Sequence, residues 1–183
     1  MIHPLSEARF TAPRPDCPHP ERWHSDDSDA TEHEVSEFVH GLVRALQPDT
    51  CLETGTHLGH TARAIGAALL ANGQGTLHTF EPNLEKVKAA RVECEGLPVT
   101  VHPVESMTSW VDGPIDFAWF DSLLHLRVKE FEYYLPWMHS RTVVGFHDAG
   151  PHHGPWSHAA REHPRLRAFD LPTPRGCLIG RVI

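Results

Sequence analysis

Four stretches of this chain carry a group capable of acid–base, hydrogen-bonding or ligating chemistry at the end of an apolar run. Thr50-Cys-Leu-Glu53 closes on a carboxylate and runs into Thr-Gly55-Thr56-His57-Leu-Gly59-His-Thr61. Thr76 to Glu81 closes on a second acid, Ile115 to Asp121 on a third, and Arg141 to His147 on the pair His147-Asp148. Gly55 and Gly59 permit a tight turn and let backbone N–H groups approach a ligand. The first turn of a following helix adds unpaired donors and a partial positive charge, and Thr56 and Thr61 add hydroxyls. An acid just before such a turn repels a pyrophosphate and attracts an ammonium group. The turn therefore reads as the seat of an amino acid-like zwitterion. Glu81, at the end of the next apolar run, can accept both hydroxyls of a ribose.

These groups need strands to carry them and helices to cover the strands. Thr31-Glu-His-Glu34 reads as a capping box. Val35, Phe38, Val39, Leu42, Val43 and Leu46 then follow helical spacing up to Pro48. Strands are expected at 50–53, 76–81, 98–102, 115–121, 141–147, 166–171 and 176–182. Helices are expected at about 61–71 and from Asn83 to about Cys94, with a further stripe of Val128, Phe131, Leu135 and Met138 and a short helix near 157–162. The alternation predicts an α/β fold: a Rossmann-like seven-stranded, mainly parallel sheet with helices on both faces and an antiparallel C-terminal strand. Ligands of such sheets sit beyond the carboxyl ends of the strands, which is where all four groups fall. Residues 1–30, rich in Pro, His and Asp, read as an irregular arm, either a mobile tail or a lid anchored by Trp23. Residues 31–183 read as the cofactor-binding domain.

Composition narrows the function classes. The 183 residues are 40% hydrophobic and 22% charged, with a formal charge of −8, and no basic stripe suits a nucleic acid. No apolar run is long enough to span a membrane, and the N-terminus lacks the pattern of a signal peptide. The four cysteines are scattered without a CxxC pair, which fits a reduced, cytoplasmic setting. Among the tryptophans, Trp110, Trp119 and Trp137 read as core by position, and Trp156 as a residue that could line a substrate pocket. The expected partner is a small molecule, and a homodimer is left open.

Glu53-x-Gly55-x-His57-x-Gly59-x-Thr61, Phe-Glu81-Pro, Glu105-Ser106, Trp-Phe-Asp121 and Gly-Phe-His147-Asp148 together resemble the class I S-adenosylmethionine-dependent methyltransferases. More narrowly, the chain over about residues 33–183 is similar to the small metal-dependent O-methyltransferases related to catechol O-methyltransferase. The resemblance implies S-adenosylmethionine as cofactor and transfer of its methyl group to an oxygen. It implies that Glu53, Gly55, Thr56, His57, Gly59 and Thr61 surround the methionine end, that Glu81 holds the ribose, and that Glu105 and Ser106 lie toward the adenine. Asp121 would touch the methionine end and serve as a metal ligand together with His147 and Asp148, the metal being magnesium in the relatives.

The chain departs from that pattern at His147, where the catechol enzyme has a carboxylate. Magnesium prefers oxygen, and imidazole suits zinc, iron or manganese better. Either Asp121 and Asp148 hold magnesium with water, or another metal binds, or no metal binds and His147 is a base. The catalytic lysine of the relatives has no clear counterpart: Lys129 reads as a solvated helix residue, and His125 is the expected replacement. His152, His153 and His158 lie near the same mouth, without the spacing of a zinc site. The rival readings are an NAD-dependent oxidoreductase, a non-catalytic cofactor-binding module, and a related enzyme performing a non-methyl reaction such as hydroxylation.

Overall fold

The computed structural model describes residues 3–4, 13–108 and 113–183; Trp110 and most of the first twelve residues lie outside the described residues. Seven strands form one sheet: β1 (Thr50–Thr54), β2 (Thr76–Phe80), β3 (Val99–His102), β4 (Ile115–Phe120), β5 (Met138–Phe146), β6 (Leu166–Leu171) and β7 (Cys177–Val182). Their spatial order is β3-β2-β1-β4-β5-β7-β6. The pairs from β3 to β5 are parallel, and β7 runs antiparallel to both β5 and β6. This is the expected fold class, strand for strand. The order reverses beside β1, which opens a crevice at the carboxyl ends of β1, β2 and β4.

Strands β1 and β4 are central, so their runs are apolar on both faces: Cys51, Leu52, Phe117, Ala118, Trp119 and Phe120 are all inaccessible to solvent. Helix α1 (His33–Leu46) buries Val35, Val39 and Val43, one face at helical spacing. Each such side chain stabilises the fold by about 1.5–3 kcal/mol relative to exposure. Helix α2 (His60–Asn72) buries Ala62, Ile65, Ala68 and Leu69, and ends at Gly73 in the left-handed conformation that glycine adopts without strain. Helix α3 (Leu84–Glu93) is capped as expected, with Asn83 Oδ1 accepting from the amides of Glu85 and Lys86. Helices α4 (Arg127–Tyr134) and α5 (Pro155–Arg161) complete the layers.

Two local expectations are corrected. Thr31 and Glu34 do not form a capping box. Helix α1 starts one residue later, behind Glu32, and has no side-chain cap. The Glu34 carboxylate turns outward to accept from the His24 amide and to pair with the His24 ring. Met138 is not the last residue of a helical stripe. A 3₁₀ turn over Leu135–Trp137 ends α4, and Met138 opens β5, whose register against β4 shifts between Ile115 and Phe117. Pro136 inside the stripe is the physical reason, because it cannot continue an α-helix. Cys17, Cys51, Cys94 and Cys177 are all buried free thiols. No helix among the described residues is long and apolar enough to cross a membrane.

Candidate active site

A cavity of about 730 Å³ opens at the carboxyl ends of β1, β2 and β4. Gly55, Thr56, His57, Thr61, Glu81, Glu105, Ser106 and Asp121, eight of the expected cofactor residues, lie in its wall. The backbone around them is built for close approach. Gly55 has φ 83°, and a Cβ there would collide with the Asp121 carbonyl oxygen. Gly59 has φ 94°, and a Cβ there would stand 2.9 Å from Ala90 Cα. Only glycine lets the turn press against both neighbours. Glu81 is held from two sides: Oε2 accepts from the His57 amide at 3.1 Å and Oε1 from the Asn83 amide at 2.9 Å. Each oxygen keeps a lone pair to spare, and Glu81 lines the cavity.

Glu53 stands differently from the expectation. It is 1% exposed and lies behind the wall rather than in it. Thr79 Oγ1 donates to Glu53 Oε2 at 2.5 Å, which commits its proton, so Thr56 Oγ1 donates to Thr79 across 2.5 Å. The acid therefore reaches the cavity through two hydroxyls. Burial pushes its pKa up to about 8, opposed by the Thr79 hydrogen bond and assisted by Asp121. A carboxyl whose folded pKa lies above its usual value destabilises the fold progressively as pH rises from that usual value to about 8. Glu53→Gln should therefore melt with the parent near pH 4 and above it at pH 8, read by thermal scans across that range.

Ser106, expected near the adenine, donates its hydroxyl to Glu130 Oε1. Thr54 and Ser122 donate to Glu130 Oε2 at 2.8 and 2.6 Å. Three hydroxyls thus satisfy an acid with no solvent exposure, one that the sequence reading did not single out. Its position three residues into α4, below the apolar stripe, was the only available signal.

Asp121, His147 and Asp148 come together as expected, with one potential ligand atom each inside a mutual separation of 4.8 Å. Asp148 holds a left-handed backbone, φ 50°, which aspartate tolerates better than most residues. Around these three sit residues the sequence did not point to. His147 Nδ1 donates to Asp121 Oδ1 at 3.0 Å, and Nε2 donates to Glu32 Oε2 at 2.5 Å. Thr31 Oγ1 donates to Asp121 Oδ2 at 2.6 Å. Arg127 Nη2 lies 2.9 Å from both Asp121 Oδ1 and Asp148 Oδ2, and Arg175 reaches Asp148 Oδ2 at 2.9 Å. Burial alone would lower the His147 pKa, but Asp121, Asp148 and Glu32 outweigh it and push it up to about 10. Burial works against the ionised form of Asp148, yet His147, Arg127 and Arg175 hold its carboxyl far below the usual range. Asp121 is lowered in the same way by His147 and Arg127.

A family model described as a methyltransferase domain matches residues 52–149. The chain belongs to this methyltransferase family. No curated protein matches the methyltransferase in sequence. Its fold is shared by solved structures of low identity. SAH-bound PaMTH1, a methyltransferase of Podospora anserina, is 15% identical with a TM-score of 0.74 over 85% of this chain and 80% of that one. The O-methyltransferase of Bacillus cereus, in complex with SAH, is 18% identical with a TM-score of 0.71 over 85% and 84%. The O-methyltransferase TomG of Streptomyces achromogenes, involved in tomaymycin synthesis and in complex with SAM, is 18% identical with a TM-score of 0.70 over 85% and 82%.

The expected metal does not fit the methyltransferase as its side chains stand. A divalent ion needs the lone pairs of Asp121, His147 and Asp148. Both His147 nitrogens already face acid oxygens, at 3.0 and 2.5 Å, and a guanidinium nitrogen stands 2.9 Å from both aspartates. His125 is exposed and stands outside the cavity lining. Trp156 lies under the Arg127 guanidinium, 5.3 Å from ring centroid to Cζ, rather than in the cavity wall. His153, by contrast, lines the cavity beside Asp148, and its buried Nε2 has no hydrogen-bond partner.

Proposed function

We propose that this methyltransferase binds S-adenosylmethionine and transfers its methyl group to a hydroxyl oxygen of a small molecule in a reduced, cytoplasmic setting. The observation that carries this reading is the Glu81 carboxylate, fixed by two amides on the cavity wall beside the glycine turn. That geometry suits the two hydroxyls of a ribose. The S-adenosyl ligands of the structural neighbours support it. On this reading Gly55, Thr56, His57 and Thr61 receive the methionine end, with the acidic Asp121 drawing its ammonium. Glu105 and Ser106 border the adenine, and residues 28–31, which form another part of the wall, belong to a lid.

The sulfonium is already activated, so the protein's work is to align donor and acceptor and exclude water. The acceptor proton needs a lone pair to leave to. His147 has none while it donates from both nitrogens. His153 has one: burial lowers its pKa to about 4 against the opposing charge of Asp148, so the ring stays neutral at physiological pH. Its Nε2 accepts the acceptor hydroxyl and orients the attacking oxygen toward the methyl group. No step runs through a metal.

Purified protein with labelled S-adenosylmethionine and a panel of phenols, sugars and hydroxy acids should label at least one hydroxyl. His153→Phe should lower kcat about 10²-fold while leaving cofactor affinity unchanged. Absence of S-adenosylmethionine binding by calorimetry would overturn the assignment. Cofactor binding without transfer to any acceptor would favour a non-catalytic module.

A further inference from the structure

On one side of the cavity wall, the acid cluster at the carboxyl ends of β4 and β5 is paired with cations supplied by the chain itself. Asp121, Asp148 and Glu32 face the guanidinium groups of Arg127 and Arg175 and the ring of His147. Three acids meet three cations in a region with almost no solvent access. The bridging position is the informative one: Arg127 Nη2 is 2.9 Å from an oxygen of Asp121 and 2.9 Å from an oxygen of Asp148. A divalent ion shared by these two carboxylates would sit in the same place.

Arg127 is also fixed there. Its Nε donates to the Ser122 carbonyl at 2.8 Å, its Nη1 to the His147 carbonyl, and its face lies over Trp156. Arg175 closes the other side of Asp148, with Nε 2.5 Å from Oδ1, while its Nη1 donates to the Ala30 carbonyl at 3.0 Å. An ion entering this cluster would have to displace a planar, multiply bonded cation from between the two aspartates. That displacement leaves a buried charge without its partner, which is costly in such surroundings. Arginine suits the place because its planar fork meets two carboxylates at once and keeps its charge.

We propose that Arg127, assisted by Arg175, occupies the position of a bridging divalent cation between Asp121 and Asp148, so that this cluster binds no metal and Arg127 is the positioning residue of the cavity floor. The inference rests on the cluster's own geometry and stands apart from the methyl-transfer reading. One consequence does join the two. A metal at this place would reward an acceptor offering two adjacent oxygens, whereas a fixed guanidinium does not, so a single hydroxyl suffices.

The test is a manganese titration of the full chain followed by paramagnetic resonance, with Asp148→Asn as control. The wild type should leave manganese free up to millimolar concentration, and EDTA should leave its melting temperature unchanged. Arg127→Met removes the bridging cation, exposes both carboxylates, and should tighten manganese binding at least tenfold. Arg127→Lys keeps a cation there and should not. Micromolar binding to the wild type that Asp148→Asn abolishes would overturn the proposal. A folded Arg127→Met with no gain in manganese affinity would overturn it too. If Arg127→Met fails to fold, the wild-type titration and its control decide alone. Loss of methyl transfer in any variant does not bear on these readings, which keeps this inference separable from the proposed reaction.

Discussion

Glu81→Ala is expected to weaken S-adenosylmethionine binding by about 10²-fold or more, with little change in melting temperature. Two hydrogen bonds from neutral hydroxyls to one carboxylate contribute about 1.5–3 kcal/mol each, and every 1.4 kcal/mol is a factor of about ten. The fold loses less, because the acid lies at the end of β2 and its partner amides can turn to water: His57 lines the open cavity and Asn83 is exposed. Calorimetry with S-adenosylmethionine and S-adenosylhomocysteine separates the contributions. Both ligands carry the ribose and should lose affinity equally. An unchanged dissociation constant for both would remove the ribose from Glu81.

The second large effect belongs to stability. Asp148→Ala removes the acid shared by two guanidiniums and should destabilise the fold by about 3–5 kcal/mol, the range for breaking a buried ion pair from one side. Urea unfolding is the direct measurement. A companion pH series reads the same cluster from His147. Its ring is raised from the ordinary histidine value to about 10 by Asp121, Asp148 and Glu32, with Arg127 and Arg175 packed on the far side of those acids. A raised pKa gives stability that is whole below about pH 6.5 and drains away as pH climbs toward 10. Asp121 and Asp148, lowered by the same partners, lose their contribution in the opposite direction, below their ordinary values near pH 4. The contribution of this cluster should therefore be whole between roughly pH 4 and 6.5 and decline on either side. His147→Gln should flatten the alkaline limb. An alkaline limb unchanged in that variant would show that the ring is not the group responsible.

Much of the fold was legible because its signals are local. The acids at 53, 81 and 121 end runs whose apolar residues alone require buried parallel strands, and glycine beside an acid marks a crevice. Asn83 announced its own helix. What escaped has a common physical cause. Arg127 sits two positions from Lys129 on the same short helix, and nothing in the spacing distinguishes the buried cation from the solvated one. Glu32 fell inside a plausible capping box, and Arg175 inside a Pro-Thr-Pro-Arg-Gly turn. Each owes its role to a partner far along the chain, and periodicity carries no information at that range. His153 was visible only as one of three loop histidines. Its neutrality comes from burial, which composition does not disclose.

The cluster that joins Glu32 to His147 and Arg175 to Ala30 closes loops of 115 and 145 residues. Loop-closure entropy must be met before such contacts return anything, so residues 30–32 are expected to meet residues 147 and 175 after the sheet between them has formed. The cavity is then expected to be among the last features of the molecule to assemble. Refolding followed by tryptophan fluorescence should recover the sheet before cofactor-binding capacity returns.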